Sequence, residues 1–334
     1  MSPAAQYTER PASGSKSQFQ SGAGSPLPVG IIRLCTNILL ESQTGHKIPI
    51  QHLTMPGLQA DMEDPKPVSS YIPTEDGGYQ LYKAAGKLEG KKAIITGGDS
   101  GIGRATAIFF AMEGASSLIV YLPEEEKDAQ ETKKKVEEAG RECYCLAIDI
   151  RKKENCQKIV DTALQTMGGI DILVNNAAFQ DMLSDISELD EEQWERTFDT
   201  NIHSFFYLSK YSLLHMKRGS TIINCASVNP YIGRGDLLDY TSTKGAIVAF
   251  TRALSNQQIK KGIRVNCVCP GPIWTPLIPS TMQTAAMEQF HAVPIGRPGQ
   301  PSEVGTCFVF LASQDSSYIS GQCLHPNGGM MVNG

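Results

Sequence analysis

The sequence predicts an α/β fold: a single doubly wound domain with a seven-stranded parallel sheet, preceded by an irregular N-terminal extension. Two observations predict it. From Lys91 onward, short and nearly continuous apolar runs alternate with stretches that are apolar at helical spacing, which is typical of parallel strands covered by helices on both faces. A glycine-rich stretch separates the first apolar run from the first helical stretch, as in the turns at which such sheets bind ligands. The composition does not change after residue 91, so we predict one domain over 91–334.

Alternating apolar runs and helical stretches define the predicted elements. The strands are predicted at 92–96, 117–121, 142–147, 171–174, 220–224, 264–268 and 321–325. The helices are predicted at 101–114, 125–139, 153–167, 191–215, 240–261 and 301–312. Right-handed crossovers between these strands place the ligand at their carboxyl ends.

Two N-terminal segments precede the predicted domain. Residues 1–52 are rich in Ser, Gly, Pro, Gln and Ala and lack sustained periodicity, which predicts a disordered extension. An organelle transit peptide is the alternative, because this segment contains few acidic residues. Residues 53–90 carry scattered prolines and acidic residues and predict an irregular arm that packs on the domain.

Composition excludes two classes of partner. The chain has 334 residues, of which 41% are apolar and 19% charged, as in globular proteins with a large core. A net charge of -5 offers no basic surface, so we predict no nucleic-acid partner. No run approaches the ~20 apolar residues of a membrane span, so we predict no membrane partner.

The nine cysteines predict a reducing compartment, with the cytoplasm as the default. Cys143 and Cys145 lie two positions apart in one predicted strand, and Cys267 and Cys269 have the same spacing. Each pair shares one face of its strand. A metal site needs further Cys or His ligands at suitable spacing, and the sequence offers none. We therefore predict small buried apolar residues and no metal.

The glycine-rich stretch is Thr96-Gly97-Gly98-Asp99-Ser100-Gly101-Ile102-Gly103. Glycines allow the backbone to turn tightly and to approach an anion, and the following helix offers free N–H groups and a positive dipole end. This context predicts a phosphate cradle. The alternative is a structural turn that merely needs small residues.

Polar residues follow other predicted strands. The third strand leads to Asp149-Ile150, where a carboxylate could accept a hydrogen bond from an adenine amine, although a helix N-cap is the alternative. The fourth leads to Asn175-Asn176-Ala177-Ala178, which suits packing beside a flat ligand and has an ordinary polar turn as its alternative.

Tyr240 and Lys244 are spaced to share one face of a helix, and Ser227 follows the fifth predicted strand. An ammonium beside a phenol favours the phenolate. Lowering a tyrosine pKa from about 10 towards 7 requires about 4 kcal/mol, which the lysine and a cationic nicotinamide could supply together. Ser227 could hold a carbonyl oxygen. The alternative for Tyr240 and Lys244 is a solvated helix face.

From about residue 91 to 334 the chain resembles the classical short-chain dehydrogenases/reductases. The resemblance rests on the glycine stretch, Asp149, Asn175-Asn176-Ala177, Asn201, Ser227, Tyr240-x-x-x-Lys244 and Pro270-Gly271. The chain is more narrowly similar to the branch of general stress proteins and glucose and ribitol dehydrogenases, on residues 96–104, 273–280 and 325–329. It departs from the family pattern at Ala178, where glycine is usual, and at Cys225, where the strand is usually richer in hydroxyl groups.

The resemblance implies a Rossmann-type fold and hydride transfer between NAD(P)(H) and a carbonyl/alcohol pair. It implies that Tyr240 is the general acid or base, that Lys244 lowers its pKa and binds the nicotinamide ribose, that Ser227 orients the substrate, and that Asn201 holds a water. The implied cofactor-binding residues are Gly97, Ser100, Gly101, Ile102, Gly103, Asp149, Ile150, Asn176, Ala177, Tyr240, Lys244, Pro270, Gly271, Ile273 and Thr275.

The second predicted strand ends in Tyr121-Leu122-Pro123, with acidic residues only from Glu124 onward and no arginine before Gly101. The carboxylate that would repel a 2′-phosphate is therefore missing, and we predict a preference for NADP(H), with NAD(H) as the alternative. The substrate stays open among a sugar or polyol, a small aldehyde and a secondary-metabolite ketone.

Three further expectations follow from the resemblance. Residues 281–291 would form a mobile substrate lid. A homo-oligomer, tetramer or dimer, is implied, and the small residues Gly245, Ala249 and Ala253 on one helix support it weakly. The alternative function is a catalytically silent sensor or subunit that binds a dinucleotide.

Overall fold

A computed structural model describes residues 49–288 and 292–332 of the chain. The strands of this part are β1 (Tyr71–Pro73), β2 (Tyr79–Leu81), β3 (Lys92–Thr96), β4 (Ser116–Tyr121), β5 (Cys143–Ala147), β6 (Ile172–Asn175), β7 (Thr221–Cys225), β8 (Arg264–Val268) and β9 (Cys323–Leu324). Strands β3 to β9 form one sheet in the order β5-β4-β3-β6-β7-β8-β9, and every pair is parallel. The predicted doubly wound, seven-stranded sheet is thus confirmed.

The strand order reverses direction between β3 and β6, which makes the gap beyond their carboxyl ends the natural ligand site. The central strands are buried on both faces, and this burial explains why their sequences read as continuous apolar runs.

Helices cover both faces of the sheet. They are α1 (Gly101–Met112), α2 (Glu126–Glu138), α3 (Lys153–Met167), α4 (Glu191–Phe198), α5 (Ser204–Ser212), α6 (Asn229–Ile232), α7 (Leu238–Gln258), α8 (Leu277–Thr281), α9 (Thr284–Glu288) and α10 (Pro301–Ala312). Two large apolar clusters form the core: α1 and α10 contribute Phe109, Phe110 and Phe308 to one, and α3 and α5 contribute Ile159 and Leu208 to the other. No helix of the described chain is both long enough and apolar enough to span a bilayer.

Most predicted elements are shifted by no more than three residues at an end, and two differ from the structure in length or in kind. The helix predicted at 191–215 ends at Ser212 and is interrupted by a π-helical turn over Asp199–His203. Such a turn widens the helix by one residue and loosens its hydrogen-bond pattern, which apolar periodicity does not show. The strand predicted at 321–325 shrinks to β9, because only Cys323 and Leu324 pair with β8.

The N-terminal segment from residue 49 to 90 runs over the domain. It contains a 3-10 turn at Gln59–Asp61 and the antiparallel pair of β1 and β2. Met62 packs in an apolar cluster with Trp274, whose indole Nε1 donates to the carbonyl of Pro65 at 2.8 Å. The predicted disordered extension lies outside the described residues, apart from residues 49–52.

Candidate active site

A cavity of about 330 Å³ lies at the carboxyl ends of the central strands. Of the catalytic and cofactor-binding residues predicted from the sequence, all line this cavity except Gly103 and Asn201. Residues from the arm, Met55, Pro56 and Gly57, also line it. The fold therefore brings the predicted residues together around one space of the size that small-molecule sites have.

The turn after β3 has the backbone that a phosphate cradle requires. Gly97 and Gly101 both have positive φ, at 62° and 49°. A Cβ on Gly103 would lie 1.8 Å from the carbonyl oxygen of Gly97, so this glycine allows α1 to pack closely against the turn without facing the cavity. The cradle and the packing role of its last glycine fit a dinucleotide.

The arm reaches this turn directly. The Gly101 N–H, at the start of α1, donates to the side-chain oxygen of Gln59 at 2.9 Å. The backbone N–H groups of Gln59 and Ala60 donate to the carboxylate of Asp128. Asp128 also forms a buried ion pair with Arg104 at 3.1 Å. Because the arm is far away in sequence, sequence reasoning missed Gln59 as part of the site.

Asp149 and Arg151 lie beyond the end of β5 and line the cavity. The carboxylate of Asp149 accepts from the Arg151 backbone N–H at 2.9 Å and from its guanidinium at 2.6 Å. Burial opposes ionisation of Asp149, but the hydrogen bonds from Arg151 outweigh it and lower its pKa. The N-cap alternative is wrong, because Lys152 occupies the N-cap position of α3.

Glu125 is an acidic residue at the end of β4 that the sequence analysis placed outside the site. A 3-10 turn over Pro123–Glu125 folds it back, so that its side chain lines the cavity and accepts from the Leu122 N–H at 2.8 Å. Burial, together with the nearby charge of Asp99, raises the pKa of Glu125 to about 8. We expected no carboxyl group at the end of β4, and this expectation is wrong. The carboxyl group of Glu125 is, however, mainly protonated at pH 7.

The polar residues at and after the end of β6 hydrogen-bond to the ends of the neighbouring strands beneath the cavity. Asn176 donates from its side chain to the carbonyl of Thr96 at 3.0 Å, and its backbone N–H donates to the Thr96 hydroxyl at 2.9 Å. Ala177 and Ala178 line the cavity beside it. On the next strand, Asn224 accepts from Asn175 at 2.9 Å. These amides hold the strand ends together, so the turn after β6 has a structural role as well as a place at the cavity.

Ser227, Tyr240 and Lys244 meet at the other end of the cavity. Lys244 is 1% exposed, and its ammonium lies 5.2 Å from the centroid of the Tyr240 ring. It donates to the carbonyl of Cys225 at 2.8 Å. Ser227 accepts from the Asn229 N–H at 3.1 Å, and its side chain is hydrogen-bonded to Tyr240. The three predicted catalytic groups therefore share one site.

Burial dominates the acidity of these groups. It raises the pKa of Tyr240 well above its usual value, although a hydrogen bond with the Ser227 side chain acts in the opposite direction. Burial also lowers the pKa of Lys244. The expectation that Tyr240 is shifted towards 7 is thus not met by the protein groups alone, and Tyr240 is a neutral phenol at neutral pH.

Asn201 lies in the π-helical turn and is fully buried. Its side-chain oxygen accepts from the Phe179 N–H at 2.8 Å, and its side-chain nitrogen donates to the Phe179 carbonyl at 2.8 Å and to the Thr243 hydroxyl at 3.0 Å. The side chain thus links the segment after β6 to α7 and has its hydrogen-bonding groups engaged.

The segment after β8 closes the cavity. Pro270, Gly271, Ile273 and Thr275 line it, and Thr275 packs against Gly101 of the cradle. A Cβ on Gly271 would lie 2.8 Å from the Asn327 Cα, which explains the glycine there. In the region predicted to form a lid, α8 and α9 pack on the arm, and residues 289–291 lie outside the described residues.

Comparison with known proteins agrees with this geometry. A family model described as enoyl-(acyl carrier protein) reductase matches residues 97–331. The chain is 53% identical to glucose and ribitol dehydrogenase of Daucus carota, over 76% of this chain and 89% of that one. It is 51% identical to general stress protein 39 of Bacillus subtilis, over 83% and 94%, and 52% identical to the chloroplastic NADPH-dependent aldehyde reductase 1 of Arabidopsis thaliana, over 75% and 90%.

Solved structures show the same fold. A short-chain dehydrogenase from Burkholderia cenocepacia in complex with NADP is 27% identical, with a TM-score of 0.69 over 73% of this chain and 98% of that one. The 3-ketoacyl-(acyl-carrier-protein) reductase from Brucella melitensis, complexed with NADH, is 31% identical, with a TM-score of 0.67 over 72% and 98%. The predicted resemblance and its branch are confirmed: this chain belongs to the short-chain dehydrogenase/reductase family.

Proposed function

We infer that the chain is an NAD(P)(H)-dependent oxidoreductase that interconverts a carbonyl compound and its alcohol, with Tyr240 as general acid and base. The observation that carries this proposal is the meeting of Ser227, Tyr240 and Lys244 in the cavity that contains the glycine cradle. The nicotinamide, when bound, supplies hydride transfer. The protein supplies position, charge and a proton.

In the reduction direction, the neutral phenol of Tyr240 donates its proton to the carbonyl oxygen as that oxygen gains negative charge. The hydroxyl of Ser227, which lies beside the phenol, donates a hydrogen bond to the same oxygen and fixes its position. Lys244 holds positive charge beside the phenol and favours its ionised form after the transfer. In the oxidation direction, the phenolate accepts the proton of the alcohol.

Replacement of the lost proton needs a path from the buried site to solvent. We expected Asn201 to hold a water on this path, but its side chain is already bonded to Phe179 and Thr243. We therefore propose that the main chain of the π-helical turn holds a water on this path, because such a turn departs from regular helical hydrogen bonding.

Tyr240→Phe tests the mechanism. The variant should keep its affinity for NADPH and lose turnover by about 10²–10⁴-fold, the range over which a general acid contributes. Tyr207→Phe, on a helix away from the cavity, is the matched control. A Tyr240→Phe enzyme that turns over normally would contradict the mechanism. If the wild type binds NADPH but turns over no substrate, the alternative of a silent dinucleotide-binding protein is favoured instead.

We propose that the preferred cofactor is NADP(H), with NAD(H) as the weaker ligand. The carboxyl of Glu125 is held mainly neutral, which weakens its repulsion of a 2′-phosphate. The guanidinium of Arg151 lines the cavity at the end of the neighbouring strand. An NADPH-dependent reductase among the relatives supports this choice, as does the Burkholderia complex with NADP.

The test compares NADPH and NADH affinities as a function of pH. Because the raised pKa of Glu125 keeps it neutral below about 8, NADPH should bind more tightly than NADH at pH 7. Ionisation between pH 7 and 9 should weaken NADPH binding by about tenfold, since a nearby like charge costs about 1–2 kcal/mol, and should leave NADH binding almost unchanged. Glu125→Gln should abolish this pH dependence. A preference for NADH at pH 7 would overturn the proposal.

We propose a small polar carbonyl compound, an aldehyde or an open-chain sugar, as the substrate. The cavity that contains Tyr240 is also lined by the polar residues Gln180, Arg196 and Asn229. Arg196 also stacks on the Phe179 ring at 4.0 Å, which holds its guanidinium in place. A panel of aldehydes, polyols, ketones and an enoyl thioester, followed by NADPH absorbance, tests the proposal. Faster turnover of the apolar ketones or of the thioester would contradict it.

We also propose that the chain is a homo-oligomer of the reducing cytoplasm. Ala249 and Ala253 form an exposed strip of small residues on α7, and Phe206 of α5 is 45% exposed. Each of the eight cysteines among the described residues is a free thiol, which supports a reducing compartment.

A further inference from the structure

Three thiols that are separate in sequence meet beside the catalytic site. Cys267 of β8 and Cys323 of β9 are register partners in the parallel pair, so their side chains leave the sheet on one face. Cys269, two residues after Cys267, shares that face. The three Sγ atoms lie within 4.8 Å of one another, and those of Cys267 and Cys269 are 3.7 Å apart. The sequence showed only the pair, because the third thiol comes from another strand.

This spacing is that of ligands around one tetrahedral ion. Two sulfurs bound to zinc at about 2.3 Å with a tetrahedral angle are about 3.8 Å apart. The Cys267–Cys269 distance already has this value, and Cys323 needs only a small movement to match it. The two sulfurs are not joined in a disulfide, because their separation of 3.7 Å is far longer than the S–S bond of about 2.05 Å.

The three thiols lie in an apolar cluster with Phe205, Ile247 and Val248, and they have polar neighbours on one side. Cys267 and Cys269 are fully buried, whereas Cys323 is partly exposed and gives a route of entry. The hydroxyl of Tyr231 lies 4.0 Å from the Cys269 sulfur. The ring of Tyr231 contacts His325, whose Nδ1 is buried without a hydrogen-bond partner in the described part of the chain. A phenol beside a thiolate is the kind of outer partner that metal ligands have.

We propose that Cys267, Cys269 and Cys323 form a binding site for one soft divalent cation of the zinc class, distinct from the dinucleotide cavity. Three thiols lose three protons as three metal–sulfur bonds form, so the loaded site carries one net negative charge. The ammonium of Lys244, which donates to the carbonyl of Cys225 on the adjacent strand β7, would offset part of that charge. Thiolates select zinc and similarly soft ions over Mg²⁺ or Ca²⁺. Binding of this ion does not depend on the proposed catalytic activity.

Such an ion would fasten β9 to β8 at the edge of the sheet, since the two strands pair through only two residues. It would also fix the start of the segment that continues from Cys269 to Pro270 and Gly271 at the cavity. The ion therefore has a structural role, with an effect on the cavity through this segment.

The experiment uses the full, reduced chain after treatment with a chelator. Co(II) is added first, because three thiolates give it an intense sulfur-to-metal charge-transfer band and tetrahedral visible bands. Zn(II) affinity and stoichiometry are then measured in competition with a chromophoric chelator. We expect one ion per chain, displacement of Co(II) by Zn(II), and a rise in Tm with added Zn(II).

Cys323→Ser should weaken Zn(II) binding by about 100-fold or more and reduce the charge-transfer band, since even outer partners of a metal contribute 10–100-fold. Cys269→Ala provides a second variant, should either one fail to fold. Cys145→Ser removes a thiol from the other pair and should change neither readout. The proposal is overturned if the wild type binds no stoichiometric Co(II), if the Co(II) spectrum lacks the thiolate band, or if Cys145→Ser abolishes binding while Cys323→Ser retains it.

Discussion

The acidity of Tyr240 results from two opposing effects. Burial disfavours the phenolate and raises the pKa of Tyr240, whereas the hydrogen bond with the Ser227 side chain favours it. The ammonium of Lys244 lies 5.2 Å from the ring centroid, and a positive charge at this distance also favours the phenolate. A phenol with a raised pKa suits proton donation at neutral pH. Oxidation needs the phenolate, so its rate should increase with pH until Tyr240 is ionised.

Lys244→Ala should move the pH profile of alcohol oxidation to higher pH and lower its maximum. The reason is that removal of the positive charge raises the pKa of Tyr240 further, so the phenolate forms only at higher pH. Initial rates at saturating cofactor from pH 6 to 10 measure the shift. Lys210→Ala on α5 is the control, and an unshifted profile in Lys244→Ala would remove the role assigned to this lysine.

Among single residues, the sequence predicted those whose place in the site follows from local structure. It missed those that reach the site through tertiary contacts. Ser227, Tyr240 and Lys244 were predicted because each follows a strand end or shares a helix face. Gln59 and Glu125 were not, because one reaches the site through the arm and the other through a 3-10 turn. Neither connection leaves a periodic signal in the sequence.

Among the structural elements, the N-terminal arm is the one that adds contacts to the cavity beyond those of the Rossmann-type domain. Gln59 occupies one of the N–H groups at the start of α1 that would otherwise face a phosphate. Its backbone is held by Asp128, which is 1% exposed. We therefore predict that the arm forms part of the proposed dinucleotide site and that its sequence alters affinity for the cofactor.

Gln59→Glu should raise the Kd for NADPH by about tenfold, because it places a negative charge where the diphosphate approaches the cradle. Gln59→Ala, which adds no charge, should have a smaller effect. Quenching of the fluorescence of Trp274, a residue beside the cavity-lining Ile273 and Thr275, measures binding. Gln80→Glu in the exposed strand β2 is the matched control; equal effects of the Gln59 and Gln80 substitutions would show that the arm is not part of the site.

The strands and helices themselves were predicted closely, since β3, β8, α3 and α10 have the bounds that we expected. The π-helical turn was not predicted. The turn contains Asn201, whose side chain bonds to Phe179 and Thr243, and these are contacts across the fold. Apolar spacing records burial and does not record such bonds.

For the whole molecule, the predicted oligomer can be tested on α7. Ala249→Glu places a charge in the exposed strip of small residues, where a second copy would pack closely. If the strip is an interface, burying an unpaired carboxylate should dissociate the oligomer by at least one step. Light scattering coupled to size exclusion measures the mass. Gln130→Glu on the exposed side of α2 is the control, and an unchanged mass in Ala249→Glu would place any interface elsewhere.

The docking of the arm has a further consequence, for the time that a ligand remains bound. The arm contacts the cradle through Gln59 and the segment after β8 through Trp274 and Pro279, and its residues 55–57 line the cavity. A ligand that contacts the docked arm increases the affinity of the arm for the domain. By thermodynamic reciprocity, the docked arm increases the affinity for the ligand by the same factor. The dissociation rate of the cofactor would then follow the rate at which the arm detaches, which would make this segment a determinant of residence time and turnover.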